Sequence, residues 1–104
     1  MHVLALLAIV IWPQGPGGDS HRWTLRCGPP RGTLPRAAAA CDRLGPLDAP
    51  FAPVPPMSAC TAIYGGPQVA RVTGRYRGAK IWATFRRRDG CEIARWNKVA
   101  FLFP

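Results

Sequence analysis

Acidic side chains are scarce in this chain of 104 residues. Asp19, Asp42, Asp48, Asp89 and Glu92 are the five, against fourteen Lys and Arg, for a formal net charge of +9. They are scattered, and no pair has a reason to face another across a cleft, so paired-carboxylate catalysis has no candidate. Serine is scarcer: only Ser20 and Ser58, neither in a Gly-x-Ser-x-Gly elbow. The two histidines, His2 and His21, are too few and too badly placed to complete a metal site, and no Cys-x-x-Cys pair occurs. These gaps argue against an enzyme and against a bound metal or cofactor. No apolar run is long enough for a membrane helix either, since Met1 to Trp12 spans only about twelve residues where roughly twenty are needed. Eleven Gly and twelve Pro leave little room for long helices, which excludes a helical bundle or coiled coil.

What is present excludes disorder. The hydrophobic fraction is 48%, with four Trp and four Phe, far more than a disordered basic tail carries. A chain this short buries a modest fraction of its surface and often needs a staple. Cys27, Cys41, Cys60 and Cys91 supply two disulfides in any of three pairings, which leaves no thiolate nucleophile and places the chain in an oxidising compartment.

Along the chain, Ala8-Ile9-Val10-Ile11-Trp12 is β-branched and aromatic and ends in turn residues, the pattern of a buried strand. The alternative, a secretory signal, lacks both a positively charged start and a small-x-small cleavage pattern. On the strand reading, an export leader would lie outside this sequence. Arg22 to Arg26 alternates apolar and basic residues as a second strand. Arg36 to Leu44 is helical, started by Thr33 or Pro35 and stopped by Gly45. Pro46 to Pro56 holds five prolines and reads as a stiff surface connection. Val69 to Tyr76 places Ala70, Val72, Gly74 and Tyr76 opposite Arg71, Thr73 and Arg75. After a turn at Arg77 to Lys80, Ile81, Ala83 and Phe85 oppose Trp82, Thr84 and Arg86, which makes an antiparallel hairpin. Val99 to Phe103 reads as a last strand. The expected fold is one small α+β domain over residues 1–104, with an antiparallel sheet of about five strands and one or two short helices.

Three segments resemble the Streptomyces subtilisin inhibitor family: Cys60-Thr61-Ala62-Ile63-Tyr64-Gly65-Gly66-Pro67, Val72-Thr73-Gly74-Arg75-Tyr76-Arg77-Gly78 and Gly90-Cys91-Glu92-Ile93-Ala94-Arg95-Trp96. Trp23 to Cys27, Asp48 to Pro56, and Gly32-Thr33-Leu34-Pro35 leading to Ala40-Cys41 are similar too, although many relatives have His where Leu34 stands. The likeness runs from about residue 7 to 104 and leaves residues 1–6 outside. It implies secreted homodimers with a five-stranded antiparallel sheet, two short helices and sequential disulfides, Cys27 with Cys41 and Cys60 with Cys91. It also implies inhibition of subtilisin-like serine proteases through a reactive bond two residues beyond the third cysteine, Ala62–Ile63. Elastase-like enzymes with shallow pockets are further expected targets, and neither nucleic acid nor membrane is an expected partner.

The loop chemistry can be stated from the residues. A serine protease takes its substrate as an extended strand, and a loop already held in shape loses less conformational entropy on binding than a free peptide. Cys60 would anchor one side of the bond and Gly65-Gly66-Pro67 would turn the chain away on the other, with Thr61 and Tyr64 flanking it. Thr61 also suits any extended backbone, and Tyr64 any half-buried packing role. Asp89 is a candidate brace for the loop, or a surface ion pair with Arg86 to Arg88. The rival function is a polyanion surface, on which Arg71, Arg75, Tyr76, Arg77, Lys80, Trp82 and Arg86 to Arg88 would form a basic stripe with interleaved aromatics.

Overall fold

The computed structural model describes residues 3–104. Four strands form one antiparallel sheet among them: β1 Ala5–Trp12, β2 His21–Cys27, β3 Val69–Tyr76 and β4 Ala79–Phe85, in the order β2-β1-β3-β4. The period-2 pattern fixes which face each side chain takes. Leu7, Ile9 and Ile11 of β1 are buried, as are Leu25 and Cys27 of β2, Ala70 and Val72 of β3, and Ala83 and Phe85 of β4. A one-residue slip would expose that whole set, so burial holds the register. Arg77 and Gly78, both at positive φ (51° and 81°), close the β3–β4 hairpin, as a tight two-residue turn requires.

Two helices cover the buried face. Helix α1, Ala37–Leu44, packs on β2 and is joined to its end by the Cys27–Cys41 disulfide. It starts from Arg36 at φ 57° with no side-chain cap, not from Thr33 or Pro35. Thr33 is engaged elsewhere: its Oγ1 accepts from the Thr24 amide at 2.9 Å, and its own amide donates to Thr24 Oγ1 at 3.2 Å. Helix α2, Gly90–Lys98, lies against β4 and buries Trp96.

The strand count is four, not five. Val99 to Phe103 is no strand, because Ala100–Leu102 winds into a 3-10 turn directly off the end of α2. Leu102 N donates to Val99 O at 2.9 Å, and this winding puts Val99 and Leu102 on one side, both fully buried. Phe103 then packs beside Phe85 and Trp96, with ring centroids 5.3 and 4.8 Å away. The apolar run plugs the end of the core instead of extending the sheet.

The proline-rich connection is surface-exposed for most of its length but dips inward once. Phe51 is buried and meets Tyr76 edge-on at 5.1 Å. The other face of the sheet is open. Arg71 lies over both Trp12 and Trp82, at 5.5 and 5.3 Å from their ring centres, while Leu6 and Trp82 stay exposed. None of the five acids falls within a strand.

Candidate functional site

Between the proline-rich connection and β3 the chain has no regular secondary structure, and residues 55–64 are exposed throughout. Met57, Ile63 and Tyr64 are large apolar side chains that it exposes to solvent, the last two at 57% and 68%. The loop is nevertheless fastened. Cys60 is bonded to Cys91 in the first turn of α2. One residue on, the Thr61 carbonyl accepts from the Gly90 amide at 3.0 Å and from the Ile63 amide at 2.9 Å. The second of these bonds closes a three-residue turn centred on Ala62. Ala62 therefore sits at an apex, a tighter bend than the fully extended strand expected from the sequence.

Beyond the apex, the Gly65 amide donates to Arg87 O at 2.7 Å, and Arg87 Nε donates to Gly65 O at 3.2 Å. Both flanks of Ala62–Ile63 thus return to one short stretch, Arg87 to Cys91, which runs from the β4–α2 connector into the first turn of α2. At Gly90 the approach leaves no room for a side chain: a Cβ added there would run into Thr61 Oγ1. The helix can meet the loop main chain to main chain only because this residue has no side chain.

Asp89 caps α2. Its Oδ1 accepts from the Glu92 amide at 2.9 Å, satisfying one of the free amides of the first turn. The ion pair considered for it is made by Glu92 instead, with Arg88 at 3.2 Å. Its contribution to the loop is indirect, through the position of Gly90 and Cys91. Asp89 also lies close to the sulfurs of Cys60 and Cys91. Those sulfurs are bonded to each other, so they offer no thiolate to a metal.

Farther down α2, Arg95 fastens the upstream approach to the loop. Its guanidinium donates to Thr84 O at 2.6 Å, Ala52 O at 2.7 Å and Phe51 O at 3.4 Å, and lies 3.9 Å from the centre of the Phe85 ring. Burial pushes its pKa below the usual arginine value, with Glu92 opposing the shift. The proline-rich connection is thereby tied to β4 and α2 just before the exposed loop begins.

The structure brings Cys60, Thr61, Gly65, Asp89 and Cys91 together around Ala62 and Ile63, while Tyr64 points to solvent. It breaks up the basic stripe. Arg71, Arg75, Lys80 and Trp82 lie on the open sheet face, Tyr76 is buried, Arg77 donates to Gly45 O at 2.7 Å, and Arg87 turns to the loop. Reading along the sequence missed Gly90, Arg87 and Arg95 as anchors. One local signal pointed at the first: Asp89-x-x-Glu92 ahead of Ile93 and Trp96 is a helix-start pattern. The arginine contacts join segments far apart in the chain and leave no local trace.

A family model described as subtilisin inhibitor-like matches residues 7–87, which takes in the exposed loop and all of the sheet except the start of β1. No curated protein matches the chain.

Proposed function

The chain belongs to the subtilisin inhibitor-like family, and we propose that it is a secreted inhibitor that offers Ala62–Ile63 to subtilisin-like proteases as a reactive bond. The observation that carries this reading is the double fastening of an exposed loop. Thr61 and Cys60 are held on one side of the bond and Gly65 on the other, all by residues 87–91.

That geometry supports the following mechanism. The enzyme's serine attacks the Ala62 carbonyl, the Ala62–Ile63 bond breaks, and the proton taken from the serine passes to the Ile63 nitrogen. In an ordinary substrate the new amine diffuses away. Here both new ends remain on one scaffold, so the Ile63 amine keeps a high effective concentration beside the acyl carbonyl and re-forms the peptide bond faster than water attacks. The prearranged loop also loses little conformational freedom on docking, which favours a long-lived complex. Gly65 and Gly66 lead the chain away from the contact.

The family likeness also implies a homodimer, and the open sheet face around Leu6, Val10 and Trp82 is the apolar surface we assign to it. Sedimentation of a Trp82→Glu variant checks this: a dimer of unchanged stability would exclude that face.

The main test is incubation with a subtilisin-type protease, followed by mass spectrometry with and without reduction. The expected result is inhibition together with slow appearance of a species one water heavier. That species should fall into two pieces, the second beginning at Ile63, only when Cys60–Cys91 is reduced. The absence of both inhibition and cleavage at this bond would overturn the proposal.

A further inference from the structure

The two flanks of the loop are held by different means. Upstream of Ala62 there is a covalent bond, Cys60–Cys91, together with the Gly90–Thr61 hydrogen bond. Downstream there is no covalent anchor, and β3 pairing begins only at Val69. In that interval Arg87 contacts both main-chain groups of Gly65, accepting from its amide at 2.7 Å and donating from Nε to its carbonyl at 3.2 Å. Two bonds to one residue fix the direction of the chain as well as its distance, as a strand partner does. The first needs only the Arg87 backbone. The second needs its side chain in one orientation.

That orientation comes from α2. Nη1 donates to Asn97 Oδ1 at 3.2 Å, and the guanidinium carbon lies 5.6 Å from the centre of the buried Trp96 ring. A planar guanidinium can stack on an indole face and still direct separate N–H groups to two acceptors, which an ammonium cannot. Held from behind, the side chain forms a strut from the last turns of α2 to Gly65, three residues past Ala62.

We infer that Arg87 is the positioning residue for the leaving-group side of the reactive bond. This rests on the reading of Ala62–Ile63 as that bond. Once the bond is cut, the acyl side stays in place through Cys60. The segment beginning at Ile63 is free to swing unless Gly65 is held. Arg87 keeps the Ile63 nitrogen within reach of the Ala62 carbonyl, so its side chain controls the balance between religation and hydrolysis more than it controls the stability of the fold.

The test uses the full chain and its Arg87→Ala, Arg87→Lys and Asn97→Ala variants with a catalytic amount of subtilisin. The ratio of Ala62–Ile63-cleaved to intact inhibitor is followed to equilibrium, starting from either form, with melting curves recorded in parallel. In Arg87→Ala the cleaved-to-intact ratio should rise about tenfold or more, religation of the purified cleaved form should slow, and inhibition should become temporary. Arg87→Lys and Asn97→Ala should fall between it and the parent, and they carry the test if Arg87→Ala does not fold. A ratio within twofold of the parent in all folded variants would overturn the role of Arg87 while leaving the inhibitor reading intact. A parent that is neither bound nor cut at Ala62–Ile63 would overturn the inhibitor reading itself, and the proposal with it.

Discussion

The first amide of α2, that of Gly90, donates at 3.0 Å to the carbonyl of Thr61, the residue immediately before Ala62. The positive end of a helix is thus aimed at the backbone of the exposed loop, an arrangement favoured by the helix dipole. A methyl group at position 90 would meet Thr61 Oγ1. Gly90→Ala should therefore weaken inhibition of subtilisin about tenfold or more, since forced overpacking costs about 1–3 kcal/mol. The melting temperature should change little, because alanine is the better helix former. Inhibition constants measured beside melting curves check this, and an unchanged constant would mean that the loop yields without cost.

The Cys60–Cys91 bridge joins residues 31 apart in sequence. A Cys60→Ser, Cys91→Ser double variant should lose roughly 3–4 kcal/mol of stability on chain-entropy grounds. It should also change from inhibitor to substrate, as the loop loses its shape before binding. Denaturant titration and a time course of proteolysis read the two effects separately. Inhibition as tight as the parent's would exclude tethering by this bridge.

With Ala62–Ile63 as the proposed reactive bond, Ala62 would offer one methyl group to an enzyme's main specificity pocket. It cannot reach the carboxylate of a trypsin-like pocket, and it leaves a chymotrypsin-like slot mostly empty. The expected order is subtilisin-like or elastase-like enzymes first, then chymotrypsin-like, with trypsin-like last. Ala62→Lys should create a trypsin inhibitor, because a desolvated ion pair contributes on the order of several kcal/mol. An inhibition series against subtilisin, elastase, chymotrypsin and trypsin decides it. A parent that inhibits trypsin best, or a Lys variant no better against trypsin, would show that the reactive bond lies elsewhere.

Arg95 supplies donors to three backbone carbonyls, those of Thr84, Ala52 and Phe51. Arg95→Met keeps much of the apolar contact with Phe85 and removes every donor. Each lost hydrogen bond to a charged group costs about 1.5–3 kcal/mol, so the melting temperature should drop by about 10 °C or more. Arg95→Lys should recover only part of this, since a single ammonium nitrogen replaces the three separate nitrogens, Nε, Nη1 and Nη2, that reach these carbonyls. Calorimetry of the three proteins is sufficient, and equal melting temperatures for parent and Arg95→Met would refute the role.

The strands were legible because alternation is a local property. Ala70 and Val72, or Ala83 and Phe85, show their common face within a few residues, and Ala8 to Trp12 declares itself as a β-branched and aromatic run. The loop was legible because a dense local motif spans Cys60 to Pro67. The run Val99 to Phe103 misled because apolar side chains packed at three-residue spacing and at two-residue spacing look alike over so few residues. Its placement straight after α2 decided for the turn. Arg87 and Arg95 were hidden in a different way. In a chain with twelve arginines, composition suggests a solvated basic surface, and only the close return of Gly65, Phe51 and Ala52 turns two of those cations inward.

The strand order β2-β1-β3-β4 puts the first strand of the chain in the interior of the sheet, paired with β2 on one side and β3 on the other. Half of its partners, residues 69–76, are synthesised long after it. Until they arrive, β1 has one bare edge, and the sheet cannot close around Leu7 and Ile9. A chain wired this way depends on pairing segments far apart in sequence and folds late, on the slower timescales of sheets built from distant contacts. The topology that buries the sheet's centre also delays folding until the far half of the polypeptide has emerged.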